Sequence, residues 1–270
     1  MTDKALIVGI SNYGGRFPQL DSPETEIQEW RDLLVDTYDF DFENIRLLAN
    51  ERATKPEIET RLDWLFGGGQ PGDRLVFVYC GHGMHMRRRT PGRGELLDGL
   101  DDAIVPFPGA ELDLEKIALF DDDCMDRLQS KNLPAAAHVT LILDCCFGGG
   151  FNLRDLPQQG KVMAVPTPVD LQHRASRIGT PNRRHDPSWD GPTVPVIVSA
   201  AGEVNLAIEV ERGGVQRSLF SFHAVEALRA NPCQTYRQLI DGIRPPITEV
   251  FPQFPSVRGD RNRIHRKFLD

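Results

Sequence analysis

The stretch "HVTLILDCCFGGG" (138–150) indicates the fold class of this chain. Its first seven residues are mostly apolar, and they end in an aspartate that is followed by two adjacent cysteines and a glycine run. A short strand of this kind is typical of a mostly parallel sheet covered by helices on both faces, because neither face of the strand then meets water. The two cysteines would lie at the carboxyl end of that strand, where chemistry gathers in such sheets.

The rest of the chain alternates short apolar runs with longer amphipathic segments. The other predicted strands are residues 4–10, 44–50, 73–80 and 194–200. Helices are predicted to begin after Ser22, Thr54 and Ser218, and Thr54 forms a capping-box pattern with Glu57. This alternation of strands and helices predicts an α/β fold.

The length of 270 residues suits a single domain that spans residues 1–270. Residues 151–193 are rich in Pro, Gly, Arg and Asp without a regular period, and a loop of that length is either functional or disordered. Residues 246–270 are predicted to form a C-terminal tail that packs on the domain or contacts a partner.

The composition excludes several classes of partner. A formal net charge of -8 is unsuited to general nucleic-acid binding, and no run approaches the ~20 apolar residues that a membrane helix needs. The run Ala5 to Ile10 is too short for the core of a signal peptide. The five cysteines are odd in number and follow no disulfide framework, so we expect a cytoplasmic protein.

Two of the predicted strands end in residues that can carry chemistry. His82 follows the 73–80 strand between two glycines, and Cys145 and Cys146 follow the 138–144 strand. If these strands are neighbours, a thiol would face an imidazole, which is the pair that generates a thiolate nucleophile. A zinc site is the alternative, although the usual C-x-x-C spacing is absent. Its candidate ligands are Cys80, His82, His85, Cys145 and Cys146.

Five motifs occur in the order found in one known family. They are "ALIVGISNYGG", "VFVYCGHG", "LLDGLDDAIVP", "FDDDCMD" and "LILDCCFGGG". The chain resembles the caspase-like cysteine peptidases, and within them the metacaspase and bacterial orthocaspase branch, over roughly residues 3–245. The resemblance implies a caspase-like three-layer sandwich, in which a mostly parallel central sheet has helices on both faces.

The resemblance also assigns catalytic roles. The family's D-x-C-x-S-G motif places its nucleophile at Cys146, so Cys145 fills the free position and is expected to be a packed thiol. Gly148 stands where the family usually has serine. His82 would be the base, and the backbone amides of Gly83 and Cys146 would bind the oxyanion.

The same resemblance predicts the residue after which substrates are cut. Metacaspases cleave after Arg or Lys, and Asp144 and Glu26 align with the acids of their pocket, with Cys80 on its wall. Two carboxylates can bind a guanidinium in a bidentate manner. The alternative is that Asp144 caps a strand end and that Glu26 is a solvated helix residue.

Acid-rich segments match those that supply a calcium site in calcium-activated metacaspases. The candidate ligands are Asp98, Asp121 and Asp122, which offer the hard oxygens that calcium prefers. Asp121 and Asp122 could instead cap a helix. No cofactor is expected to be required.

We therefore predict a cysteine endopeptidase that acts on protein substrates and is regulated as a zymogen. The 151–193 loop would be cut by the enzyme itself or by an upstream activating protease, and a regulator would deliver the signal. Its candidate cleavage sites are Arg174, Arg177, Arg183 and Arg184. Bacterial relatives act in cell death and antiviral defence, so the resemblance implies such a role. The alternative is a catalytically silent scaffold.

Overall fold

A computed structural model describes residues 2–87, 100–147, 160–165, 193–202 and 205–270. Its central sheet has six strands, and all five predicted strands are present to within two residues at each end. In spatial order the strands are β12 (Ser256–Arg258), β9 (Val196–Ser199), β7 (His138–Asp144), β3 (Arg74–Cys80), β1 (Lys4–Gly9) and β2 (Ile45–Ala49). Neighbouring strands are parallel except for β12, which pairs antiparallel with β9.

Helices cover both faces of this sheet, which confirms the predicted three-layer α/β arrangement. One face is covered by α1 (Pro23–Tyr38), α5 (Leu219–Ala230) and α6 (Tyr236–Thr248), and the other by α2 (Lys55–Phe66) and α4 (Asp121–Ser130). Strand β1 shows why both faces are apolar: Ala5 and Ile7 pack in the first core, whereas Leu6 and Val8 pack in the second. Two short helices also lie in the described ranges, α3 (Leu114–Ile117) and α7 (Arg261–Ile264).

Two small antiparallel sheets lie beyond the main sheet. One contains β4 (Gly83–Arg87), β5 (Leu100–Ile104) and β6 (Leu119–Phe120). The other contains β11 (Val215–Ser218), β10 (Ile208–Arg212) and β8 (Lys161–Val162). Neither was predicted from the sequence, and β8 lies within the segment that was expected to be an irregular loop.

The helix starts follow the predicted positions, but the predicted capping hydrogen bonds differ. The Thr54 side chain makes no capping hydrogen bond, and Glu57 pairs instead with Arg61 one turn later. A complete capping box forms at Thr235 and Gln238, where each side chain accepts a hydrogen bond from the other residue's backbone amide. The predicted box was therefore wrong at α2, because an i,i+4 ion pair engages the carboxylate that it needed.

The C-terminal residues pack against the domain. Residues 246–248 end α6, β12 extends the main sheet, and the side chains of Phe268 and Leu269 are buried in the first core. No helix in the described ranges combines the length and the apolar character that a membrane crossing requires.

The close packing of α1 on β1 predicts opposite effects for two glycine substitutions. A methyl group at Gly9 would lie 2.9 Å from the Pro23 carbonyl oxygen and would also overlap the Ile27 side chain. Gly9→Ala should therefore lower the free energy of unfolding by about 1–3 kcal/mol in urea denaturation. Gly242→Ala is the matched control, because it lies in α6 with nothing within 4 Å and should raise that free energy by about 0.5–1 kcal/mol. A neutral Gly9→Ala would contradict the tight packing of these elements.

Candidate active site

The predicted catalytic residues lie at the same edge of the main sheet. Strands β3 and β7 are adjacent and parallel, and Cys80 pairs with Asp144 at their carboxyl ends. The chain then turns at Gly81, whose amide donates to the Asp144 carbonyl oxygen at 3.2 Å. His82 and Cys146 each follow their strand by two residues, so the pairing brings both to this edge.

The backbone of His82 is held by two tyrosine hydroxyls. The His82 amide donates to the Tyr13 hydroxyl at 2.8 Å, and the Tyr79 hydroxyl donates to the His82 carbonyl oxygen at 2.8 Å. The Tyr13 ring also packs against the imidazole, with 4.9 Å between ring centroids. These contacts fix the position of the imidazole at the end of β3.

The imidazole of His82 is neutral and has a defined tautomer. Burial lowers its pKa from 6.5 to about 4, although the hydrogen bond to Pro18 acts in the opposite direction. Its Nε2 lies 2.7 Å from the Pro18 carbonyl oxygen, which can only accept, so Nε2 carries the proton. Nδ1 therefore has the free lone pair, and it is buried without a hydrogen-bond partner among the described residues. This nitrogen is available to accept a proton.

The two adjacent cysteines face opposite cores. Cys145 packs with residues of α2 and α4, whereas Cys146 packs on the other face with Met163 and Ala207. The Cys146 thiol donates to the Ala207 carbonyl oxygen at 3.6 Å, and burial raises its pKa from 9.0 to about 12. In this structure the thiol is therefore protonated.

The amides of Gly83 and Cys146 converge on one oxygen atom. Both donate to the carbonyl oxygen of Met163, at 3.1 and 3.2 Å. A side chain at Gly83 would place its Cβ 2.5 Å from the Cys146 carbonyl oxygen, so glycine permits this close approach of the two loops. Two convergent backbone amides beside a thiol are the arrangement that stabilises the oxyanion of an acyl-transfer reaction.

The carbonyl of Met163 belongs to a segment, residues 160–165, that crosses this edge. Its strand β8 pairs antiparallel with β10, and the Met163 amide donates to the Ala207 carbonyl oxygen at 2.9 Å. Beyond Met163, the Val165 amide donates to the Gly83 carbonyl oxygen at 2.9 Å. The segment thus lies directly against both predicted oxyanion donors, and the Met163 side chain is fully buried.

The three residues predicted to line a substrate pocket lie together beside Cys146. Asp144 accepts hydrogen bonds from the hydroxyls of Ser218, at 2.8 Å, and Ser221. Burial raises the pKa of Asp144 from 3.8 to about 6, although both hydroxyls act in the opposite direction. Burial also raises the pKa of the Cys80 thiol well above its usual value, and the charges of Asp144 and Glu26 raise it further.

Glu26 is fully buried rather than solvated. One carboxylate oxygen accepts from the Ser218 amide at 3.0 Å and from the Arg217 guanidinium at 3.3 Å. The other oxygen is buried and has no hydrogen-bond partner in the part of the chain that the structure describes. Burial raises the pKa of Glu26 from 4.5 to about 8, and the charge of Asp144 adds to this effect while Arg217 opposes it.

The sequence analysis missed three residues of this site. Arg217, Ser218 and Ser221 contact the two acids from positions about 70 to 190 residues away in the chain. The only local signal was the predicted helix start at Ser218, where the hydroxyl accepts from the Ser221 amide.

The acids predicted to bind calcium are only partly described. Asp121 and Asp122 lie at the start of α4, and the Asp122 amide donates to the Asp121 side chain at 3.0 Å. Burial raises the pKa of Asp121 well above its usual value, and the charges of Asp102 and Asp122 raise it further. No three His, Cys, Asp or Glu side chains within the described ranges are grouped so that they could hold a metal ion, whether calcium or the zinc considered above.

Several predicted residues lie outside the described part of the chain. They are Asp98 of the calcium prediction, Gly148 after the nucleophile, and the loop arginines Arg174, Arg177, Arg183 and Arg184.

Comparisons with known proteins identify the family of this chain. The sequence profile of the family "Metacaspase, peptidase C14 domain" matches residues 3–157. Metacaspase-1 of Coccidioides immitis is 26% identical over an alignment that covers 94% of this chain and 60% of that protein. Metacaspase-1A of Aspergillus fumigatus is also 26% identical, with 94% of this chain and 68% of that protein covered. The chain thus spans about two thirds or less of the length of these relatives.

A solved structure shares the fold. The crystal structure of protein GSU0716 from Geobacter sulfurreducens superimposes with a TM-score of 0.69 and 16% sequence identity, and the match covers 100% of this chain and 98% of that one.

The buried state of Glu26 predicts a pH-dependent effect of Glu26→Gln on stability. A carboxyl whose pKa is raised on folding stabilises the protein fully at pH values below the pKa of the unfolded state. This stabilisation is lost as the pH rises through the pKa of the folded state. With a pKa of 4.5 unfolded and about 8 folded, the wild type should lose stability relative to Glu26→Gln between pH 5 and 8. The difference should grow by about 2–4 kcal/mol in urea unfolding curves measured across this range. Parallel stability profiles for the two proteins would contradict the assignment.

Proposed function

Because the chain belongs to the metacaspase family of C14 cysteine peptidases, we propose that it is an endopeptidase whose nucleophile is Cys146 and whose base is His82. One observation carries the proposal: the amides of Gly83 and Cys146 both donate to a peptide carbonyl oxygen, that of Met163. A site that binds a carbonyl oxygen in this way beside a thiol is suited to attack on a peptide bond.

The residues present can perform each proton transfer of the reaction. Nδ1 of His82 takes the proton of the Cys146 thiol, and the sulfur attacks the substrate carbonyl carbon. The carbonyl oxygen becomes an oxyanion that accepts from the Gly83 and Cys146 amides. His82 then gives its proton to the leaving amine as the C–N bond breaks, and water attacks the thioester to release the acid and restore the thiol.

The buried acids support cleavage after Arg or Lys. Glu26 and Asp144 are close enough that the charge of Asp144 helps to raise the pKa of Glu26. A substrate cation would supply the positive charge that lets both carboxyls ionise. The Glu26 oxygen that has no hydrogen-bond partner among the described residues could accept a hydrogen bond from this cation. Arginine suits this role better than lysine, because its guanidinium can bind two carboxylates at once.

The segment 160–165 supports regulation as a zymogen. It fills the oxyanion donors with its own carbonyl and buries the Cys146 thiol, so a substrate must displace it. We expect cleavage in the following segment, which contains Arg174 and Arg184, to release it. The cytoplasmic location and the role in cell death or antiviral defence stay predictions from the resemblance.

Fluorogenic peptides with Arg, Lys or Asp before the scissile bond test the activity. We expect cleavage after Arg, weaker cleavage after Lys and none after Asp. Cys146→Ala should lose at least about 1,000-fold in kcat/KM, because the nucleophile is removed. Cys145→Ala is the matched control, since that thiol packs in the opposite core, and it should stay within about twofold of the wild type.

Cleavage after Asp would leave a peptidase but contradict the acidic pocket. Cleavage that survives Cys146→Ala would contradict the nucleophile. The absence of cleavage in every form of the protein would favour the silent scaffold. Assays with and without calcium also decide whether the acidic segment around Asp121 and Asp122 has a regulatory role.

The latent state is tested by nicking the chain in the 166–192 segment with trypsin, which is then quenched by a serine-protease inhibitor. We expect kcat/KM for an arginyl peptide to rise at least about tenfold, because the segment is then joined to the chain at one end only and competes less effectively with substrate. Nicked Cys146→Ala, treated in the same way, reports residual trypsin. An intact protein as active as the nicked one would show that the segment does not block the site.

A further inference from the structure

The segment 160–165 lies in the site as a bound substrate would. Its strand runs antiparallel to β10, with Lys161 opposite Glu209 and Val162 opposite Ile208. The amide of the next residue, Met163, donates to the Ala207 carbonyl oxygen, and its own carbonyl occupies the two oxyanion donors. In a substrate, the residue with its carbonyl in that place precedes the scissile bond. Lys161, two residues before Met163, therefore marks the position two residues upstream of the residue that precedes the scissile bond.

Two carboxylates hold the ammonium group of Lys161. The ammonium forms an ion pair with Asp21, and it lies 3.8 Å from a carboxylate oxygen of Glu209. Residues directly opposite each other in an antiparallel pair present their side chains on one face, so the strand pairing itself brings Lys161 towards Glu209. The contact with Asp21 comes from a different element, the residues that precede α1.

The carboxylate of Glu209 is fixed before any ligand arrives. Its side chain is fully buried and accepts from the backbone amides of Asp21, at 2.9 and 3.0 Å, and of Ser22, at 2.8 Å. These amides lie at the N-terminus of α1, where the helix dipole favours a negative charge. Asp21 is partly exposed. The two acids therefore form an anionic site that a ligand can reach from the side of Asp21.

We propose that Asp21 and Glu209 form a second acidic subsite, which binds a Lys or Arg two residues upstream of the residue that precedes the scissile bond. Strand β10 binds the substrate backbone between this subsite and the nucleophile. The inference rests on the proposed peptidase function and deepens it, because it specifies substrates with basic residues at alternate positions. Residues of an extended strand at i and i+2 point to the same side, so one substrate strand can present both cations to the enzyme.

The effect on selectivity should be modest, because Asp21 and the lysine are both partly exposed. Exposed ion pairs contribute at most about fivefold in an equilibrium or rate ratio. The nicked enzyme is assayed with peptides that carry Arg immediately before the scissile bond. The residue two positions upstream of that arginine is Lys, Gln or Glu. We expect kcat/KM to be about threefold to fivefold higher for Lys than for Gln, and lowest for Glu.

Asp21→Asn should reduce this preference to less than about twofold. Asp36→Asn removes one exposed charge from the other end of α1 and should keep the full preference. An unchanged preference in Asp21→Asn would overturn the subsite while leaving the peptidase intact. If no peptide is cleaved in a Cys146-dependent way, the peptidase proposal fails, and the following measurement still decides the lysine contact.

Alkylation of Cys146 by iodoacetamide in the intact chain, followed by mass spectrometry, needs no activity. Lys161→Glu places a third carboxylate beside Asp21 and Glu209, so the segment should detach and the alkylation rate should rise at least about fivefold. The double variant Lys161→Glu, Asp21→Lys should return to within about twofold of the wild-type rate. A wild-type rate in Lys161→Glu, or no recovery in the double variant, would show that the two acids do not bind the lysine.

Discussion

The parallel pairing of β3 with β7 is the constraint on which the whole site depends. Cys80 stands opposite Asp144, and the base and the nucleophile each follow two residues later at the same edge. Because successive strand residues face opposite sides, a slip of one residue would exchange the two cysteines between the cores. Cys145 would then no longer pack in the second core. Cys146 would no longer lie beside Met163, Ala207 and the two buried acids.

Burial is the first cause of every shifted pKa at this edge. It keeps the His82 imidazole and the Cys146 thiol neutral, and it raises the pKa of both Asp144 and Glu26. The segment 160–165 contributes to this burial, since Met163 packs in the same core as Cys146. Entry of water would favour the charged forms of these groups, and a substrate cation would favour the thiolate and the two carboxylates, so one displacement would change the state of the nucleophile and of the pocket together.

The sequence predicted those parts of the structure that local pattern determines. The five strands and three helix starts follow from apolar periodicity and from capping residues, and the family resemblance distinguished Cys146 from Cys145. The β8 strand was hidden in a segment of loop-like composition, because its two residues pair with β10, about 46 residues later in the chain. Helix α6 was not predicted from the sequence, and it contains Pro245 and Pro246 in its last turn, which ends at Thr248.

The contacts of the acids were beyond local prediction for the same reason. Arg217 and Ser218 reach Glu26 across more than 190 residues of chain, and nothing in the sequence near Glu26 distinguishes it from a solvated helix acid. The structure shows that burial, rather than residue type, separates Glu26 from its helix neighbour Glu24, which is exposed.

Helix α1 links the two acidic regions. Glu209 accepts hydrogen bonds from the amides that precede α1, and Glu26 lies one turn further along the same helix. The start of α1 is therefore held by the residue that also faces Lys161, and its first turn supplies an acid beside Asp144. Any movement of α1 that opened one acidic region would displace an acid of the other. A substrate strand with cations at alternate positions would thus contact α1 twice. Once the first cation is bound, the second contact needs little further ordering of the substrate, so such a strand would bind more tightly than two separate cations.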